Sequence, residues 1–159
     1  MDPKRLALLA AAALLAVALW LAWLWQPERQ VRLHTASLLK GIERRNWSNV
    51  QDLLADNYAD RWGHDKNFVV TGLRQVFGSF VFLKIEHENV SVDAVAGRTR
   101  TRVKMSGQGS AVAQYVMAKV NSLAEPFTFT WEKRSGKPWD WQLTAVDHPT
   151  LEPDSELQF

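Results

Sequence analysis

Twenty consecutive residues, Leu6 to Trp25, carry no charge and consist only of Leu, Ala, Val and Trp. As a helix the run would be about 30 Å long, the thickness of a bilayer's hydrocarbon core. A core helix of a soluble domain would keep a polar face, and this segment has none. Lys4 and Arg5 stand before it. Trp20, Trp23 and Trp25 gather at its far end, where indole rings favour the membrane–water interface, and Gln26-Pro27 breaks the run. Residues 1–26 therefore read as an N-terminal transmembrane anchor whose partner is the lipid bilayer. A cleavable signal peptide is the competing reading, since Ala16-Val17-Ala18 fits a small-x-small cleavage site. Cleavage there would leave Leu19 to Trp25 as a bare apolar N-terminus. Lys4 and Arg5 favour a cytoplasmic N-terminus, with the domain outside the cytoplasm, in a Gram-negative cell the periplasm. Arg29, Arg32, Lys40, Arg44 and Arg45 on the other flank keep the reverse topology open.

The rest of the chain is long enough for one domain and apolar enough to fill a core, with 47% hydrophobic residues overall. A net charge of only +2 gives no nucleic-acid signature, and the absence of cysteine excludes disulfides and thiolate chemistry. Asn46-Trp47-Ser48 and Asn89-Val90-Ser91 fit a glycosylation triplet that is common by chance. From Pro27, the residues Val31, Thr35, Leu38, Leu39 and Ile42 recur at helical spacing, predicting a helix to about Arg45. Ser48 to Gln51 reads as a capping box opening a short second helix through Val50, Leu53 and Leu54. Tyr58 to Asp65 is a turn-rich, aromatic connection. A third helix carries Val69, Leu73, Val76, Phe77 and Phe80 on one stripe.

After Gly78 the period becomes two. Phe82 to Asp93 reads as a strand and Ala96-Gly97 as its turn. The next strand sets Arg98, Arg100, Arg102 and Lys104 against Thr99, Thr101, Val103 and Met105, one face cationic and the other inward. Phe127, Phe129 and Trp131 alternate likewise, Lys133 to Pro138 is a turn, and Trp139, Trp141, Leu143 and Ala145 form a last apolar face. Ala111 to Leu123 reads as a short helix or lid-like insertion, with an extended strand as the alternative. The order predicts an α+β domain over 27–147, three helices on an antiparallel sheet, followed by an acidic, proline-containing tail over 148–159.

This order, with the phrase Arg45-Asn46-Trp47-Ser48-Asn49-Val50-Gln51-Asp52-Leu53-Leu54-Ala55-Asp56-Asn57-Tyr58, resembles the nuclear transport factor 2-like superfamily, and the anchor resembles its membrane-anchored non-catalytic subset. The resemblance implies a cone, helices packed into the concave side of a bent sheet around a pocket. The superfamily includes isomerases, polyketide cyclases and hydrolases as well as non-catalytic members, so fold alone does not settle function.

Catalysis of the familiar kind needs acids aimed into the pocket, and none of the inward strand positions is a carboxylate. The candidate pocket-mouth residues are Tyr58, Trp62, His64 and Asp65, weighed against a plain turn with a capping Asp65 and a solvated His64. Glu86-His87-Glu88 cannot share one ion on a strand, because the glutamates face opposite to the histidine; no metal and no cofactor are expected. Gly107-Gln108-Gly109 reads as a loop and not as a phosphate cradle. The row Arg98, Arg100, Arg102 and Lys104 is the candidate interaction face, against a solvated face balanced by Glu86, Glu88 and Glu132. With no aromatic on it to stack bases, nucleic acid is not a partner. The expected function is a membrane-anchored non-catalytic binding or assembly module engaging a protein partner or a second copy. The alternative is an isomerase- or cyclase-type enzyme, or a domain binding an apolar small-molecule ligand in its pocket.

Overall fold

The computed structural model describes residues 3–151. Helix α1 spans Pro3–Leu24 and α2 spans Pro27–Glu43. Among the described residues no single helix is long and apolar enough to cross a membrane; the pair Leu8–Leu24 and Pro27–Glu43 passes together but is bent by 68°. Pro27 at the start of α2 supplies a pre-set φ where no amide hydrogen is needed. The helix buries Val31, Thr35, Leu38, Leu39 and Ile42, the stripe that the helical period predicts. It ends where Arg45 takes φ 56 and Asn46 N–H returns to Gly41 O at 2.8 Å, closing the last turn.

Helix α3 spans Trp47–Leu53 and α4 spans Lys66–Gly78. The cap of α3 is Asn46, whose Oδ1 accepts from Asn49 N–H at 3.3 Å, and not a box opening at Ser48. Asn46 stands one residue ahead of the helix with its oxygen free to reach the orphan donors, while Ser48 already lies inside it. Phe80, expected on the α4 stripe, belongs to the first strand.

Strands β1 (Phe80–Asp93), β2 (Arg98–Gly109), β3 (Phe127–Lys133) and β4 (Trp141–Asp147) form one antiparallel sheet in the order β1-β2-β3-β4. Gly97 makes the β1–β2 turn at φ 63, with the Trp131 carbonyl where a Cβ would stand. Gly107 and Gly109 lie in β2 and are not a loop; a Cβ on Gly107 would collide with the Phe82 carbonyl, so the glycine permits close backbone approach. Helix α5 (Ala111–Ser122) resolves the helix-or-strand ambiguity as a helix. β3 pairs β2 only over Arg98 to Thr101. Further along, Asn121 of α5 takes the place of a neighbouring strand. Its Oδ1 accepts from Met105 N–H at 2.8 Å, and its Nδ2 donates to Met105 O at 2.7 Å. The β1 edge is covered by α2: Glu43 accepts the Ile85 N–H at 2.8 Å, and Arg45 donates to the Phe80 carbonyl.

A bulge between Thr130 and Trp131 pairs Trp131 with Leu143 and passes over Thr144. It shifts the phase of β4, so Val146, and not Ala145, reaches the interior cavity. Trp139, expected on the same apolar face, lies before β4 in the turn and is 49% exposed. The core joins Val31, Leu38 and Leu39 of α2 to Phe129, Trp131, Trp141 and Leu143 of the sheet. Trp131 is 1% exposed, and its Nε1–H donates to Thr35 Oγ1 at 3.0 Å. His148, placed in the tail by sequence, is fully buried against Phe127 with ring centroids 4.8 Å apart. The rest of the acidic tail, residues 152–159, lies outside the described residues.

Candidate functional site

The connection between α3 and α4 positions the site. It runs along β4, with Ala55 N–H donating to Leu143 O at 2.9 Å and Ala59 N–H to Thr144 O at 3.0 Å. This seats Tyr58, Asp60 and Trp62 on the wall of a cavity of about 280 Å³ between the helices and the concave sheet face. Leu39, Leu73, Met105, Phe127 and Phe129 line it with apolar surface. A concave, largely apolar space with a few polar groups is the form that small-molecule sites take.

Of the predicted pocket-mouth residues, Tyr58 and Trp62 line this cavity. Tyr58 is 4% exposed. Burial pushes its hydroxyl well above the ordinary phenol value, the Asp60 carboxylate adds to the rise, and a backbone hydrogen bond with Val146 works against it. The Trp62 indole N–H donates to Leu151 O at 3.1 Å, tying the chain after β4 to the site. His64 is not simply solvated: its Nδ1 lies 3.0 Å from Asp60 Oδ2, and its ring stacks on Phe68 with centroids 4.3 Å apart. Asp65 caps α4 through Phe68 N–H at 2.8 Å and is not among the cavity-lining residues.

Asp60 is the residue that sequence reasoning missed. It is the one carboxylate among the residues lining the cavity. Its Oδ1 accepts from the backbone N–H of Trp62 at 3.0 Å and of His64 at 2.9 Å, while Oδ2 faces His64 Nδ1. An aspartate three residues before a glycine at φ 82 is a turn signal, and Asp60-Arg61-Trp62-Gly63 carries it. That signal fixes a turn and says nothing of which way the turn faces. With two backbone amides on Oδ1 and the His64 ring facing Oδ2, Asp60 organises the loop.

The outer sheet face is built differently. The register sets Glu86 opposite Lys104, Glu88 opposite Arg102 and Asp93 opposite Arg98. Arg102 reaches Glu88 at 3.2 Å, Arg100 reaches Glu125 at 3.3 Å, and Lys104 donates to Asn121 O at 2.8 Å. Glu132, expected to balance this row, lies beyond the part of β3 that pairs with β2 and stands opposite Gln142 of β4 in the register. His87 is exposed, and no group of three or more His, Cys, Asp or Glu among the described residues could hold a metal ion. Towards the N-terminus, Lys4, Arg5, Trp20, Trp23 and Trp25 are placed along α1 and its C-terminal turn, all but partly exposed Trp25 in the helix itself.

No protein-family model matches the chain, and no curated protein matches it by sequence. Solved structures do share its architecture. A conserved protein of Planctomyces limnophilus is similar at TM-score 0.54 and 13% identity, covering 76% of this chain and 93% of that one. A Nostoc punctiforme protein with a cystatin-like fold gives TM-score 0.51 at 12% identity, over 77% and 91% of the two chains. The hexachlorocyclohexane dehydrochlorinase LinA-type3 of Novosphingobium barchaimii gives TM-score 0.51 at 12% identity, over 72% and 82%. This chain also spans 36% of the length of Bd1075 from Bdellovibrio bacteriovorus, at TM-score 0.49. At these identities the likeness speaks to fold alone, the cystatin-like α+β architecture of the Nostoc protein, which agrees with the fold that the resemblance to the nuclear transport factor 2-like superfamily implies.

Proposed function

We propose that this protein is a membrane-tethered, non-catalytic binding module whose cone pocket takes a small apolar molecule. The observation that carries the reading is a cavity of about 280 Å³ walled by apolar side chains, whose one carboxylate already serves its own loop. Similarity to a dehydrochlorinase supplies a fold and no reaction, so the enzyme reading gains nothing from it.

The tether is supported by the uncharged run from Leu6 to Trp25, which extends beyond the stretch Leu8–Leu24 at both ends. Leu8, Leu14 and Leu15 of α1 are 71%, 71% and 62% exposed, an apolar surface that water covers poorly and lipid covers well. Lys4 and Arg5 support a cytoplasmic N-terminus and a domain outside the cytoplasm. A reporter active only outside the cytoplasm, fused after Phe159, tests that orientation; activity of a cytoplasmic reporter instead would reverse it.

The pocket is tested on the full chain in detergent by methyl NMR of its methionines. Met105 lines the cavity and Met117 does not, so the second is an internal control. Addition of 1-naphthol should shift the Met105 methyl saturably and leave Met117 in place, and Leu73→Trp should abolish the shift. A Met105 signal that never moves sinks the pocket reading. Loss of a cellular activity in a stably folded Asp60→Asn protein would favour the enzyme alternative.

A second reading, assembly with a protein partner or another copy through the outer sheet face, is favoured by exposed apolar residues on β1, the strand that pairs with the one carrying the cationic row. Val81, Phe82 and Val90 of β1 are 83%, 59% and 46% exposed. Crosslinking in membranes tests it.

A further inference from the structure

The end of the domain nearest α1 differs from both sheet faces. Pro27, the β1–β2 turn from Ala94 to Gly97, and Lys133 and Trp141 surround one concavity there, of about 560 Å³. Trp25 packs on Trp139 with ring centroids 5.6 Å apart, joining the last aromatic of the apolar run to the β3–β4 turn. The Arg29 guanidinium lies 3.3 Å from the Trp23 ring centroid, and the Gln30 amide donates to Leu24 O at 2.8 Å. These contacts hold the domain against the end of α1. The axes of α1 and α2 differ by 68°, so with α1 across a bilayer, α2 lies close to the bilayer plane. The β3–β4 turn, which meets Trp25, and the β1–β2 turn, which shares the concavity with Pro27, then come to headgroup level.

The side chains on that end suit such a place. Val95 at the β1–β2 tip is 101% exposed, and Trp139 is 49% exposed. The turn itself is shaped by Asp93, whose Oδ1 accepts from Val95 and Ala96 N–H, so the fold does not require valine there. Lys133 at the end of β3 and Lys137 in the turn after it are exposed, and Lys133 Nζ stands 5.4 Å from the Trp141 ring centroid. Indole rings, an apolar tip and lysines together match the membrane interface, where aromatic rings sit at headgroup depth and cations meet anionic lipid. We infer that this end is a second membrane contact: Val95 and Trp139 seat in the headgroup region, and Lys133 and Lys137 meet anionic lipid headgroups. The contact fixes the orientation of the domain on the bilayer, which one helix alone would leave free to swivel. It rests on the tether reading, and the test separates the two.

The chain has no cysteine, so Val95→Cys and Leu14→Cys each create a single labelling site in the full-length protein. Each variant, carrying an environment-sensitive fluorophore, is reconstituted into phosphatidylcholine vesicles with and without phosphatidylglycerol, and quenching by spin-labelled lipid is read. The label at position 14 should be quenched by lipid labelled deep in its chains. The label at position 95 should lose about half its emission to headgroup-level spin labels, more on anionic vesicles. Lys133→Glu with Lys137→Glu should remove the anionic increment and leave the neutral-vesicle value unchanged. Quenching at 14 without quenching at 95 overturns the second contact and leaves the tether standing. Absence of quenching at 14 overturns the tether and the contact with it. An unchanged anionic increment in the double variant overturns the role given to the lysines.

Discussion

The two faces of the sheet come from the same strands and obey opposite rules. On the concave side of β2, Thr99 and Thr101 are fully buried, and each polar atom has an assigned partner, as with Thr101 Oγ1 and Asn89 Oδ1 at 2.8 Å. On the convex side, Arg100 and Glu125 sit half exposed in an ion pair that water and salt can replace. Polar groups inside are therefore structural commitments, and charges outside are negotiable. The same contrast separates Asp60, whose buried carboxylate accepts two backbone amides and faces the His64 ring, from Glu88, whose side chain is 73% exposed.

The largest effect should come from the inner face. Trp131→Ala should cost about 3–5 kcal/mol by chemical denaturation, since it empties a full indole site and strips Thr35 of a donor. A near-neutral result would mean that the concave face is not the core. Asp60→Ala should follow, at about 2–3 kcal/mol, because it leaves the Trp62 and His64 amides and the His64 ring without their acceptor. A loss within a few tenths of a kcal/mol would show that water satisfies the loop.

Glu43 lies between the two faces and sharpens the comparison through pH. Burial pushes its carboxyl up, but the Ile85 amide, the Lys40 hydrogen bond and charge, and Lys84 outweigh that, so its value is lowered on folding. A carboxyl lowered on folding stabilises the protein above its unfolded value of about 4.3, and that contribution is lost as pH falls through the folded value. Glu43→Gln should therefore flatten stability against pH below about 4.3 relative to wild type; parallel acid curves would remove Glu43 from the β1 edge.

The smallest effect on stability belongs to the outer face. Arg100→Glu with Arg102→Glu should change stability by about 1 kcal/mol or less, because its ion pairs are solvent-exposed. If the outer face binds a partner or another copy, the same double variant should weaken crosslinking in membranes and reduce its salt dependence. A large loss of stability would place this row among the inner commitments and break the comparison.

By itself the sequence determined the elements and the faces they present. The spacing of Val31, Thr35, Leu38 and Ile42 specifies one helical stripe, and the alternation from Arg98 to Met105 specifies one wet and one dry strand face, because side-chain direction follows the backbone period. The α+β order was legible for that reason. The tertiary structure decided what has no period. It turned Asp60 inward, since a turn signal sets local dihedrals while its orientation depends on β4, to which Ala55 and Ala59 bond. It brought Val146 into the cavity through a bulge at Thr144 that no alternation announces. It buried His148 where chain direction after β4 pointed to a tail. Local chemistry writes conformation into the chain, whereas which polar group ends inside depends on neighbours distant in sequence, which only the packed fold supplies.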